Sequence, residues 1–244
     1  MTMFASNAKP HAQLAASVEY TDLRKTITYR DVESMCTEAE HIGFAAVVIP
    51  SALVRHAMAC LGGDGPAVAT VISYPFGTQS PTVKAREAAG AVDHGARELD
   101  VVPHFGAILS QRWAELREEL NVIRKATGHA LLKLVLESER LTEQQLRRAC
   151  AEAEGAGFEY VVNTLGFRIV STDPAAEGTA SASGIASLRA HVAGTLKIKA
   201  AGGVASRAAV AALLDAGASR VAMLALPGLA RSMGRSGDRE GVSP

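Results

Sequence analysis

Three stretches of this chain place charge inside apolar runs. Glu98-Leu99-Asp100-Val101-Val102 carries two acids, and Leu131-Leu132-Lys133-Leu134-Val135-Leu136-Glu137 carries a lysine and closes on a glutamate. Leu196-Lys197-Ile198-Lys199-Ala200-Ala201-Gly202-Gly203 carries two lysines and closes on two glycines. In an extended strand, residues two apart share a face. Glu98 and Asp100 therefore share one face, and Lys133 and Glu137 share another. An unpaired buried charge costs several kcal/mol, so these groups should pair. Two readings follow. One is a structural lysine–carboxylate network. The other is an acid–lysine site, in which a lysine kept from water and close to a second cation has a lowered pKa. Such an amine can attack a carbonyl to form an imine, or move protons.

The polar residues at the ends of these runs are candidates for binding substrate. His104 follows the Glu98–Val102 run, and Asn163 and Thr164 close the run that starts at Tyr160. Gly202 and Gly203 would offer backbone N–H groups to an anion, or simply form a turn. Arg24 and Lys25 read as solvated, and Met223 with its neighbours reads as packing. Asp100, His104 and Glu137 form no recognisable metal motif, so no metal is expected.

The elements that must position these residues alternate. Apolar runs at Ala45–Ile49, Val68–Ile72, Glu98–Val102, Leu131–Leu136, Tyr160–Asn163, Leu196–Ala200 and Arg220–Leu224, with a weaker one around Val18, have strand length. Most lack strict alternation, as strands buried on both faces do. Helix signals lie between them. Thr28 with Asp31 and Thr142 with Gln145 have capping-box spacing, and Ser80-Pro81 reads as N-cap followed by N1. Gly43, Gly95, Gly157 and Gly217 stand where helices should end. About eight strand–crossover units predict a closed (β/α)8 barrel, in which chemistry sits at the carboxyl ends of the strands. An open doubly wound sheet is the rival, weakened because no G-x-G-x-x-G or P-loop sequence follows a strand.

The chain has 244 residues, enough for one such barrel, so a single domain over 1–244 is expected, with loose tails at about 1–16 and 235–244. Its 25 basic and 25 acidic residues cancel, which leaves no global attraction to nucleic acid or an anionic membrane. Cys36, Cys60 and Cys150 fit no zinc or disulfide pattern and read as reduced thiols. No apolar run reaches the ~18 residues of a membrane span, and the N-terminal stretch lacks the apolar run of a signal peptide. A cytoplasmic protein is expected.

These segments together resemble the deoxyribose-phosphate aldolase family, class I aldolases on a (β/α)8 barrel. The resemblance runs from about Val18 to Ala230. It is carried by Glu19-Tyr20-Thr21, Thr70-Val71-Ile72-Ser73-Tyr74-Pro75-Phe76-Gly77, Glu98–Val102, Leu132–Glu137, Asn163-Thr164-Leu165-Gly166-Phe167, Lys199–Gly203 and Gly217-Ala218-Ser219-Arg220. It implies that Asp100 is the supporting acid and Lys199 the second, pKa-lowering lysine, and that Lys133 matches a further family lysine. Thr21, His104, Glu137, Asn163, Thr164, Gly166, Gly202 and Gly203 are the candidate substrate contacts. The resemblance also implies homodimerisation and no organic cofactor.

Three positions and one turn depart from the family pattern. The imine-forming lysine of the sixth strand is matched by Val162. The family's cysteine on the second strand is matched by Val48, and its asparagine after the fourth strand by His104. The Gly-Thr-Ser-Ser-type turn that helps bind phosphate is matched by Ala222-Met223-Leu224-Ala225, which puts apolar surface where a dianion would sit. The expected substrate is therefore an unphosphorylated carbonyl compound, and the altered pocket fits recruitment to a biosynthetic step. Carbon–carbon lyase chemistry through a relocated imine would use Lys199 first and Lys133 second, each lowering the other's pKa. Acid–base chemistry without an imine (a dehydration, isomerisation or cyclisation) and ligand binding without turnover are the alternatives.

Overall fold

The computed structural model describes residues 14–63, 65–166, 178–226 and 228–234. Eight strands run in chain order around a closed barrel: β1 (Val18–Thr21), β2 (Ala46–Ile49), β3 (Ala67–Ile72), β4 (Glu98–Val101), β5 (Leu131–Val135), β6 (Tyr160–Val162), β7 (Lys197–Val204) and β8 (Arg220–Leu224). Neighbours pair in parallel, and β8 closes on β1 from Val18–Val221 to Thr21–Leu224. This is the (β/α)8 barrel the sequence predicts. The helices described are α1 (Tyr29–Ile42), α2 (Val54–Leu61), α3 (Pro81–Asp93), α4 (Phe105–Leu109), α5 (Trp113–Thr127), α6 (Glu143–Gly155), α7 (Ala182–His191), α8 (Arg207–Asp215) and α9 (Leu229–Gly234).

Strand residues alternate between two environments. Val47, Ile49, Val68, Leu99, Val101, Leu132, Leu134, Val161, Ile198, Val221 and Met223 face outward into the apolar layer beneath the helices. Burying a side chain of that size stabilises by about 1.5–3 kcal/mol, so this alternation fixes which residues are left to face the lumen. The inner set includes Glu19, Glu98, Asp100, Lys133 and Lys199.

Local signals set the helix ends. Thr28 and Asp31 form a reciprocal capping box on α1, and Thr142 and Gln145 form one on α6. Ser80 is the N-cap of α3 and Pro81 its first residue, but the Ser80 side chain makes no capping bond. Gly43, Gly95, Gly157 and Gly217 all have positive φ, between 76° and 109°.

Two expectations need correction. The seventh strand does not stop at Ala200. It continues through Gly202 and Gly203 to Val204, and its pairing with β8 slips between Ala200 and Val204. The N-terminal tail does not extend to Ala16: Leu14 and Ala15 are buried in the core, 4% and 3% exposed, because both are apolar and abut β1. The rest of that tail, and the segment from 235, lie outside the described residues.

Candidate active site

The lumen holds a layer of charge. Glu19 on β1 accepts hydrogen bonds from Lys133 Nζ at both carboxylate oxygens, at 2.7 and 2.8 Å, and from Lys199 Nζ. Lys199 Nζ also donates to Asp100 Oδ2 at 2.5 Å. Lys133 Nζ lies 2.7 Å from Glu98 Oε2 and 3.2 Å from Asp100 Oδ1. Arg220 reaches the other Glu98 oxygen at 3.7 Å. Three carboxylates thus face two ammonium groups and one guanidinium, and the formal charges cancel. Lys133 and Lys199 are 0% and 1% exposed. Glu19 joins the two lysines, and Asp100 lies between them.

This arrangement decides the protonation states. Burial alone would raise the Glu19 pKa, but Lys133 and Lys199 outweigh it and bring it down to about 2. For Lys133, burial acts to lower the pKa, yet Asp100, Glu19 and Glu98 together raise it above the ordinary lysine range. The expectation that Lys133 is a lysine of lowered pKa is therefore corrected. It is a firmly held cation, because its nearest neighbours are acids rather than Lys199.

An apolar ring covers this layer on the carboxyl side. Val102, Val135, Ala201 and Ala222 each stand two residues after Asp100, Lys133, Lys199 and Arg220, one layer further along the lumen. They form one cluster with Val162, against which Tyr74 and Leu165 pack. Val162 is 1% exposed and lies beside Lys199 in the β6–β7 register. The Tyr74 hydroxyl donates to Leu165 O at 3.4 Å, and burial, with Glu137 nearby, pushes its pKa up to about 12.

The other predicted contacts separate into two groups. Asn163 is not free to bind substrate. Its Oδ1 accepts from Ala201 N at 2.7 Å and its Nδ2 donates to Ala201 O at 3.2 Å, so both ends of the amide clamp β6 to β7 where the pairing of β7 slips. Thr164 donates to Glu137 Oε1 at 2.7 Å, and Leu165 N donates to the same oxygen. Glu137 thereby shapes the loop after β6, from a backbone with φ 45°. Gly166 and Gly202 allow close approach: a Cβ at Gly166 would lie 3.3 Å from Gly202 Cα, and one at Gly202 would lie 2.1 Å from Gly178 O. Gly202 and Gly203, besides any anion role, thus let the 178–180 segment pack on β7.

Thr21 lies on the inner face of β1, partly exposed, with its hydroxyl donating to Glu19 O at 3.0 Å. His104 is exposed at the start of α4, apart from the charged layer, and its backbone N–H donates to Glu119 at 3.2 and 3.3 Å. Arg24 is exposed but not free, since buried Asp22 holds its guanidinium through both carboxylate oxygens.

Two features escape sequence reading. The first is Glu19. The weak first run hid it, although V-E-Y-T sets Glu19 and Thr21 on one face. The second is a buried pair outside the barrel. Lys84 on α3 is 0% exposed, and its Nζ donates to Glu119 Oε1 at 2.7 Å, to Gly77 O at 2.7 Å and to Val102 O at 2.9 Å. It ties the loops after β3 and β4, and the backbone of a ring residue, to α5. A lysine in P-T-V-K-A-R-E-A-A-G reads as solvated, and its partner is 35 residues away.

A parallel eight-stranded barrel with an acid–lysine layer below its carboxyl mouth has the architecture of (β/α)8 enzymes, whose chemistry sits at that mouth. No family model matches the chain. Individual proteins do. The chain is 34% identical over 208 residues to deoxyribose-phosphate aldolase of Lysinibacillus sphaericus, covering 85% of this chain and 90% of that one. It is 38% identical over 216 residues to the enzyme of the same name from Mycolicibacterium paratuberculosis, covering 87% and 93%. The tetrameric deoxyribose phosphate aldolase of Aeropyrum pernix superposes with a TM-score of 0.73 at 25% identity, over 92% of this chain and 90% of that one. An aldolase designated QR15 shares the fold with a TM-score of 0.77 at 24% identity, over 91% and 93%. The chain belongs to the deoxyribose-phosphate aldolase family.

Proposed function

We propose that this chain makes or breaks a carbon–carbon bond in an unphosphorylated carbonyl compound, by acid–base chemistry and without an imine. The reading rests on one observation. The Lys199 ammonium is held by Glu19 and Asp100 beneath an apolar ring that carries valine at 162, the position the resemblance assigns to the imine-forming lysine. Two N–H groups of that ammonium go to carboxylates, which leaves one for a carbonyl oxygen.

In the proposed step, Asp100 removes the proton from the carbon next to the carbonyl. The C–H electron pair forms the C=C bond, and the carbonyl π pair moves onto oxygen, where Lys199 stabilises it. A single preorganised donor of this kind is worth about 10²–10³ in rate. The enolate carbon then attacks an aldehyde carbon, and the new alkoxide recovers the proton from Asp100. Cleavage is the reverse. Lys133 stays a cation throughout, and with Glu19 it keeps Lys199 and Asp100 in place.

A second reading, ligand binding without turnover, draws on the self-contained charge balance of the layer. The test is hydrogen–deuterium exchange at the α-carbon of acetaldehyde, acetone and pyruvate in deuterated water, followed by NMR, with borohydride added in a parallel arm. The expected result is exchange that Lys199→Met and Asp100→Asn abolish, with no borohydride-trapped adduct. An adduct mapped to Lys199 would replace the acid–base step with a relocated imine. Binding without exchange would favour the second reading.

A further inference from the structure

We infer that the mouth of the barrel takes an apolar tail, so that the substrate is an aldehyde or ketone carrying an alkyl or aryl group, with Leu224 setting the preference. This rests on the carbonyl chemistry just proposed and names the substrate class of the same site. By the period-two pattern of β8, Leu224 shares the inner face with Ala222 and stands one layer nearer the mouth. Ala222 belongs to the ring of Val102, Val135, Val162 and Ala201. Along β8, Val221, Ala222 and Met223 are at most 8% exposed, whereas Leu224 is 37% exposed and Leu226, just beyond it, is 45% exposed. Leu165 and Tyr74 pack on the ring from the loops after β6 and β3. On the inner face of β8, apolar residues therefore lead from Ala222 of the buried ring to the exposed Leu224.

The two polar side chains after β6 are already engaged. The Asn163 amide is used by Ala201, and the Thr164 hydroxyl by Glu137. Among the described residues, the exits of β6, β7 and β8 (163–166, 201–206 and 222–226) contain no lysine or arginine. Within these ranges a phosphate dianion would find backbone N–H groups and the Ser206 hydroxyl, and no cation. An alkyl tail would instead cover surface that is now wet. Each methylene buried there is worth about 0.8 kcal/mol, or about fourfold in affinity.

The experiment measures Kd on the full chain for methyl ketones from acetone to 2-octanone by ligand-observed NMR, with inorganic phosphate as competitor. Affinity should rise about fourfold per methylene over the first few carbons, and phosphate should not displace the ketone. Leu224→Ser, at an exposed position ending β8, should cut the gain below about twofold per methylene. A flat series, a slope unchanged in Leu224→Ser, or displacement by phosphate would overturn the inference. Acetone exchange keeps the two readings apart. Exchange with a flat series removes the tail site alone. A steep series without exchange keeps the tail site and removes the acid–base reading.

Discussion

Lys133 inside the barrel and Lys84 outside it are both 0% exposed, yet their proton affinities move in opposite directions. Lys133 faces three carboxylates, and its pKa rises. Lys84 faces Glu119 and two backbone carbonyls. Burial outweighs Glu119 and the more distant Glu87, and its pKa falls. The difference lies in the number of full charges around the ammonium, not in its depth. Carbonyl oxygens satisfy N–H donors without holding the proton as firmly as carboxylates do. The barrel lysine is therefore held charged among its three acids. The helix-layer lysine fixes two loops.

The largest effect should come from Lys133→Met. It leaves three buried carboxylates with one ammonium and should destabilise by about 3–5 kcal/mol, measured by urea unfolding. A loss below about 1 kcal/mol would mean that the layer is not held by charge. Next is acid. Glu19 has its folded pKa at about 2 against an ordinary 4.5, so its stabilisation is present above pH 4.5 and lost as pH falls through 2. That displacement is worth about 3 kcal/mol, and Glu19→Gln should flatten the parent's stability curve across this window.

Lys84→Met should cost less, about 2 kcal/mol, because it strands one carboxylate and two carbonyls. Its distinguishing sign is loss of hydrogen-exchange protection at the His104 amide, which Glu119 now accepts. The smallest effect lies in alkali. Lys84 is lowered from 10.5, so the folded state binds fewer protons there than the unfolded one. The parent should gain stability relative to Lys84→Met as pH rises toward 10.5. Lys133, raised from the same value, should add no loss below it.

Much of the fold is legible because the constraints on it are local. Runs such as Ala45–Ile49 and Arg220–Leu224 coincide with strands almost residue for residue, and both capping boxes form. The site is legible where charge interrupts an apolar strand, as at Asp100, Lys133 and Lys199. It is not legible where the partner is remote. Glu19 meets Lys199 across 180 residues, and Lys84 meets Glu119 from a helix whose pattern suits a solvated lysine. Asn163 fails differently. A polar residue at a strand end reads as a ligand contact, but here the backbone of the neighbouring strand claims it. The pairing slip in β7 that accompanies this clamp leaves no mark in the sequence beyond its two glycines.

The equal count of three acids and three cations bears on how readily this barrel can change trade. Val162 lies beside Lys199 in the β6–β7 register, in the apolar ring above a layer with no spare carboxylate. A fourth cation there would have burial against it and no acid of its own, so Val162→Lys should carry a neutral amine at pH 7. It should be trapped on acetaldehyde by borohydride at that position, while the surrounding residues stay as they are. An imine-forming lysine would then lie a single replacement away, reached without rebuilding the charged layer.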